Sequence, residues 1–87
     1  MYSLVFGENF LSSVKKLDIK LKRKINSQLK ILQQNPFHSR LHTKPLHGQL
    51  AEFHSLRIGR DYRLVFKFTN NKTLLLVAVE HRSKVYK

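Results

Sequence analysis

The sequence predicts an α+β fold, ordered β-α-α-β-β-β, with a mostly antiparallel sheet and a helical hairpin packed on one face. Three observations lead there. The last third holds three strand-length runs separated by turn-rich tripeptides. Residues 8–34 carry apolar residues at helical spacing. A short β-forming run precedes them. Eighty-seven residues allow one domain, 1–87, which at this size buries about 60–65% of the surface its unfolded chain exposes.

Tyr2 to Phe6 is apolar and rich in β-formers, and Gly7 ends it. Glu8 then suits the positive end of a helix dipole, and Phe10, Val14 and Leu17 follow at i, i+4 and i+7. A second series runs Leu21, Ile25, Leu29 and Leu32. Asp18, between the two series, is either a mid-helix residue or the N-cap of a second helix. The cap is favoured, giving two helices joined tightly. Asn35-Pro36 ends the second, because the residue before proline is pushed out of the α region. Phe37 to Gln49 reads as loop, broken by Pro36, Pro45 and Gly48.

The three C-terminal runs are Phe53–Ile58, Tyr62–Phe68 and Thr73–Val79. In the middle run Tyr62, Leu64, Phe66 and Phe68 share one face, and Arg63, Val65 and Lys67 the other. Matching apolar with apolar across the first hairpin pairs Leu56 with Leu64 and Ile58 with Tyr62. That register leaves a three-residue loop at Gly59-Arg60-Asp61 and sets Arg57 directly opposite Arg63. Like charges so opposed destabilise a strand pair. Either the two arginines splay into solvent or an anion sits between them. The third run is apolar on both faces, so pattern does not fix its register; it reads as a central or doubly covered strand. The face opposite the helices is then expected to be a basic cleft of Arg57, Arg63 and Lys67, with the polar C-terminal segment close by.

Composition bounds the function. Seventeen Lys+Arg against five Asp+Glu give a formal charge of +12, an excess usually neutralised by a polyanion. Seven cations against Asp18 lie between Lys15 and Lys30, a face that is either simply solvated or turned to a polyanion or acidic partner. With no Cys, disulfide and thiol chemistry are excluded. His38, His42 and His47 have no nearby acid to complete a metal site, so neither metal nor cofactor is expected. The longest apolar run, Leu74 to Val79, cannot span a bilayer. No export signal is visible, and a cytoplasmic protein without membrane contact is expected.

Three motifs together resemble the RelE/ParE superfamily of toxin–antitoxin toxins. They are His42-Thr-Lys-Pro-Leu-His-Gly-Gln-Leu, Ser55-Leu-Arg-Ile-Gly-Arg-Asp-Tyr-Arg-Leu-Val-Phe and Val79-Glu-His-Arg-Ser-Lys-Val-Tyr. The resemblance covers nearly the whole chain. It implies a toxin held inactive by a cognate acidic antitoxin, acting on mRNA in the ribosomal A site, with operator DNA contacted through the antitoxin complex. The alternative branch inhibits DNA gyrase without nuclease activity. A third alternative is an RNA binder without catalysis.

By the same resemblance, Arg63 matches the arginine placed against the scissile phosphate. Tyr86 matches an aromatic that orients a base, and His81 an acid–base position. Arg57 and Lys44 align with basic or acid–base positions that vary among branches, and Asp61 with a carboxylate used by some members. Arg82, in the same tail motif, and Lys67 join them as RNA-binding candidates. Metal-free RNA cleavage needs a base for the 2′-OH, cations for the phosphorane and an acid for the leaving oxygen. A guanidinium binds phosphate oxygens bidentately, which suits Arg57 and Arg63. A histidine, with an unperturbed pKa near 6.5, serves as either base or acid, which suits His81.

Overall fold

The computed structural model describes residues 1–85. Its elements are β1 (Ser3–Phe6), α1 (Glu8–Lys15), α2 (Ile19–Gln34), β2 (Lys44–Pro45), β3 (Phe53–Ile58), β4 (Tyr62–Asn70), β5 (Thr73–His81) and a single helical turn, α3 (Arg82–Val85). The five strands form one sheet in the order β1-β5-β4-β3-β2. Only β1, which pairs with β5, is parallel to its neighbour. The expected α+β order therefore holds. One expectation is corrected: residues 37–49 are not all loop. Lys44–Pro45 pairs with His54–Ser55 as a two-residue edge strand, flanked by 3₁₀ turns at Ser39–Leu41 and Gly48–Leu50. Proline is tolerated in an edge strand, where a missing N–H costs no ladder bond.

Asp18 caps α2: its carboxylate accepts the Leu21 N–H at 2.9 Å. Gly7 opens α1 without a side-chain cap. Its N–H donates to the Leu76 carbonyl at 3.0 Å, and a Cβ there would stand 2.8 Å from the same oxygen. Glycine lets the β1–α1 junction lie against β5 at that distance.

Both helices cover one face. Phe10, Ile25 and Leu32 pack with Leu56, Ile58, Leu64, Phe66, Leu74, Leu76 and Val79. The buried positions of β5 step from Leu76 to Val79 because the β4–β5 register shifts between Val65 and Phe66. The surplus residue lies at Val77, between the partners of Phe66 and Val65, and forms a β-bulge that restores the apolar face beyond it. The Val79 N–H donates to the Ser13 hydroxyl of α1 at 2.9 Å. At the other end of the sheet, β2 reaches no further than Ser55. Gln28 of α2, 6% exposed, donates to the Arg57 carbonyl at 3.1 Å and satisfies that edge.

Candidate functional site

The residues of interest lie in rows across the face of the sheet opposite the helices. Residues paired across strands share a face. One row is Arg57–Arg63–Glu80, and the next is Lys44–Ser55–Val65–Ala78. A third runs Phe53–Lys67–Leu75. The Arg57–Arg63 opposition expected from the hairpin register is present.

Arg63 departs from expectation in one respect. It alternates out of the core, yet its side chain is only 6% exposed. Its guanidinium donates to the Tyr62 carbonyl at 2.8 Å and to the Arg60 carbonyl at 3.1 Å. The turn thus holds the charged fork in one orientation. Arg57, beside it, is exposed.

Arg57, Arg63 and Lys67 lie on this face as expected. Beside them the same face also forms a largely apolar groove lined by Leu46, Leu50, Phe53, Val65, Val77, Glu80, Lys84 and Val85. Lys67 lies 5.4 Å from the Phe53 ring centroid and pairs with Glu52 at 3.5 Å, so its charge is partly answered within the chain. A further group of cations lies at the sheet edge beside α2. A polar cleft is lined by Lys24, Gln28, Arg40, His42, Arg57 and Gly59, with no acid in its wall. Sequence reading missed this cleft, because its lining comes from a helix, a 3₁₀ turn and a strand end.

His81 is not brought together with Arg63. It pairs in register with Tyr62, on the other face of the sheet, and the two rings meet edge to face at 5.7 Å. Its Nδ1 accepts the Ser83 N–H at 3.2 Å, capping the α3 turn, and lies 2.9 Å from the Ser83 hydroxyl. Accepting that N–H leaves the neutral ring's hydrogen on Nε2. Arg82 approaches Asp61 through Nε at 3.9 Å, and its N–H donates to the Asp61 carbonyl at 2.7 Å. Both residues thereby tie the β3–β4 turn to the end of β5. Tyr86 lies outside the described residues. Among those residues no group of three or more His, Asp or Glu is placed to hold a metal ion, and no helix is long and apolar enough to cross a membrane.

Glu80 is the residue that sequence reading passed over. The missing signal was the β4–β5 register, hidden by the two-sided apolar character of β5 and shifted by its bulge.

Residues 7–82 match the family described as the YoeB-like toxin of bacterial type II toxin–antitoxin systems. The chain belongs to this family. It is 31% identical over 64 residues to Toxin YoeB of Escherichia coli strain K12, covering 74% of this chain and 76% of that protein. The fold is shared with the YoeB/ParE toxin from Agrobacterium tumefaciens, at a TM-score of 0.79 and 21% identity, over 92% of this chain and 98% of that one. It is also shared with the YoeB–YefM complex from Staphylococcus aureus, at a TM-score of 0.77 and 20% identity, over 94% of this chain and 98% of that one. YoeB-like toxins are ribosome-dependent mRNA endoribonucleases and not gyrase inhibitors. Membership therefore places the chain on the nuclease side of the superfamily.

Proposed function

We propose that this toxin cleaves ribosome-bound mRNA without a metal ion, using Arg63 to hold the scissile phosphate. The observation that supports this is the buried Arg63 guanidinium, oriented by two carbonyls and flanked by Arg57. A preorganised cation costs little reorganisation when charge develops on the phosphorane. The 2′-oxygen attacks phosphorus, the bond to the 5′-oxygen breaks, and the products are a 2′,3′-cyclic phosphate and a 5′-hydroxyl. Arg57 supplies a second phosphate contact, and Lys44, one row away, a third. Tyr86 is the proposed stacking partner for a base. No step is routed through His81, which faces away from Arg63 and is engaged in capping. Lys67 and Arg82, each beside a carboxylate, take lesser parts in RNA binding.

The same proposal includes an acidic antitoxin as partner, with operator DNA reached through the pair. The support is the +12 charge and the acid-free cleft of Lys24, Arg40, His42 and Arg57. Opposite charge raises association rates and selects the partner.

The test compares programmed ribosomes with naked mRNA at equal toxin concentration, mapping the ends produced. Expected are rapid cleavage on the ribosome, cyclic-phosphate ends, and slow cleavage of free RNA that persists in EDTA. Intact ribosome-bound mRNA at stoichiometric toxin would overturn the reading.

A further inference from the structure

We propose that Glu80 is the general base, accepting the proton of the attacking 2′-hydroxyl. The inference rests on Arg63 as the phosphate site and supplies the acceptor which that reading leaves unassigned.

Placement carries the argument. Glu80 is the β5 partner of Arg63, so the two side chains leave neighbouring strands on the same face. Cross-strand partners have Cβ atoms about 4.5–5.5 Å apart. A phosphate held by Arg63 would then lie within reach of the carboxylate. Glu80 is only partly exposed and forms part of the wall of the apolar groove with Val65 and Val77. Groove and arginine row therefore meet at this residue.

Elimination agrees. The chain has five acids. Glu8 opens α1, the helix packed on the face of the sheet opposite the Arg63 row. Asp18 is spent on the α2 cap. Glu52 pairs with Lys67, and Asp61 with Arg82. Glu80 forms neither an ion pair nor a side-chain hydrogen bond with the described residues. Of the other acid–base candidates, His81 faces the opposite side, and Lys44 stands on β2 in the next row, two strands from Arg63.

The step balances. The 2′-OH proton passes to a Glu80 carboxylate oxygen as the 2′-oxygen bonds to phosphorus. The P–O5′ bond breaks, and the 5′-oxygen takes a proton from water. Glu80 then returns its proton to solvent.

The experiment is single-turnover cleavage of mRNA on programmed ribosomes by Glu80→Gln, Glu80→Asp and Arg63→Gln, with ribosome affinity and thermal melts measured in parallel. Glu80→Gln keeps the shape but removes the proton acceptor. The expected result is a fall of about 10²–10⁴-fold in rate, with affinity and melting temperature unchanged. Glu80→Asp is expected to recover part of the rate. Glu80→Gln cleaving at the wild-type rate while Arg63→Gln is inactive would overturn the role of Glu80 and leave the phosphate site standing. Full activity in both variants would overturn the phosphate site as well. A slow Glu80→Gln that melts early, or binds ribosomes weakly, would make Glu80 a structural residue and overturn the proposal.

Discussion

Replacing Arg63 by alanine tests stability and chemistry at once, and the structure assigns a magnitude to each. The substitution removes two charge-assisted hydrogen bonds, to the carbonyls of Tyr62 and Arg60. It also empties a site that is 6% exposed. Hydrogen bonds from charged groups contribute about 1.5–3 kcal/mol each in net stability, but water reaches carbonyls at a turn and recovers part of that. Relief of the repulsion from Arg57 returns a few tenths of a kcal/mol, roughly the size of a cross-strand pair term. A net loss of about 2 kcal/mol follows. In a domain of this size, 1 kcal/mol moves Tm by roughly 4–8 °C, so Tm falls by about 8–16 °C. Since small domains hold about 5–15 kcal/mol, the variant stays folded at 25 °C. Its cleavage rate on ribosomes falls by about 10²–10³-fold, the usual loss of one preorganised transition-state donor. Arg63→Lys keeps the charge, loses the fork, and is expected to fall between variant and wild type. Calorimetry and single-turnover cleavage at 25 °C read the two effects separately. An unchanged Tm would refute the clamping of the turn, and a wild-type rate in the folded variant would refute the phosphate site.

Gly7→Ala drives a Cβ to 2.8 Å from the Leu76 carbonyl oxygen and is expected to cost about 1–3 kcal/mol, read as a lower denaturant midpoint. Asp18→Ala removes the α2 cap and is expected to cost about 1 kcal/mol in the same measurement, without change in cleavage rate at 25 °C. Burial among Phe37, Phe66 and Phe68 holds the His54 imidazole below its ordinary value of 6.5. Because the unfolded chain takes up that proton first as pH falls, this contribution to stability is full above about pH 6.5. It is lost on acidification until the folded-state value is passed. His54→Phe is expected to flatten the fall in Tm between about pH 7 and pH 5 relative to wild type; an identical slope would count against this account.

Much of the fold was legible because local signals and the global pattern agree. The Asp18 cap, the Asn35-Pro36 stop and the Leu56–Leu64 register each follow from a few neighbouring residues. What was not legible depends on long-range registration. A strand apolar on both faces, such as β5, carries no parity signal, and its bulge at Val77 changes parity part-way. Hence Glu80 went unnoticed beside Arg63, and His81 was grouped with arginines it does not face. Burial of Arg63 was hidden for a related reason. Alternation tells which side of the sheet a residue takes, but not what covers that side. The acid-free cleft around Arg40 and His42 draws on three separate segments, and no single sequence window contains it.

The order of strands also sets an order of events in folding. β3, β4 and β5 are joined by short turns, so their pairing closes small loops, whereas β1 waits for a partner 70 residues away, as in Phe6 with Leu76. Non-local pairing is slow because chain entropy is lost before contacts form. The Arg57–Arg63–Glu80 row lies wholly within the three-strand meander. The groups assigned to chemistry are thus aligned by the fast, local part of folding, while the apolar core beneath them is sealed by the slow part. Mutations at Gly7 or in β1 should therefore speed unfolding far more than they slow the first assembly of the meander.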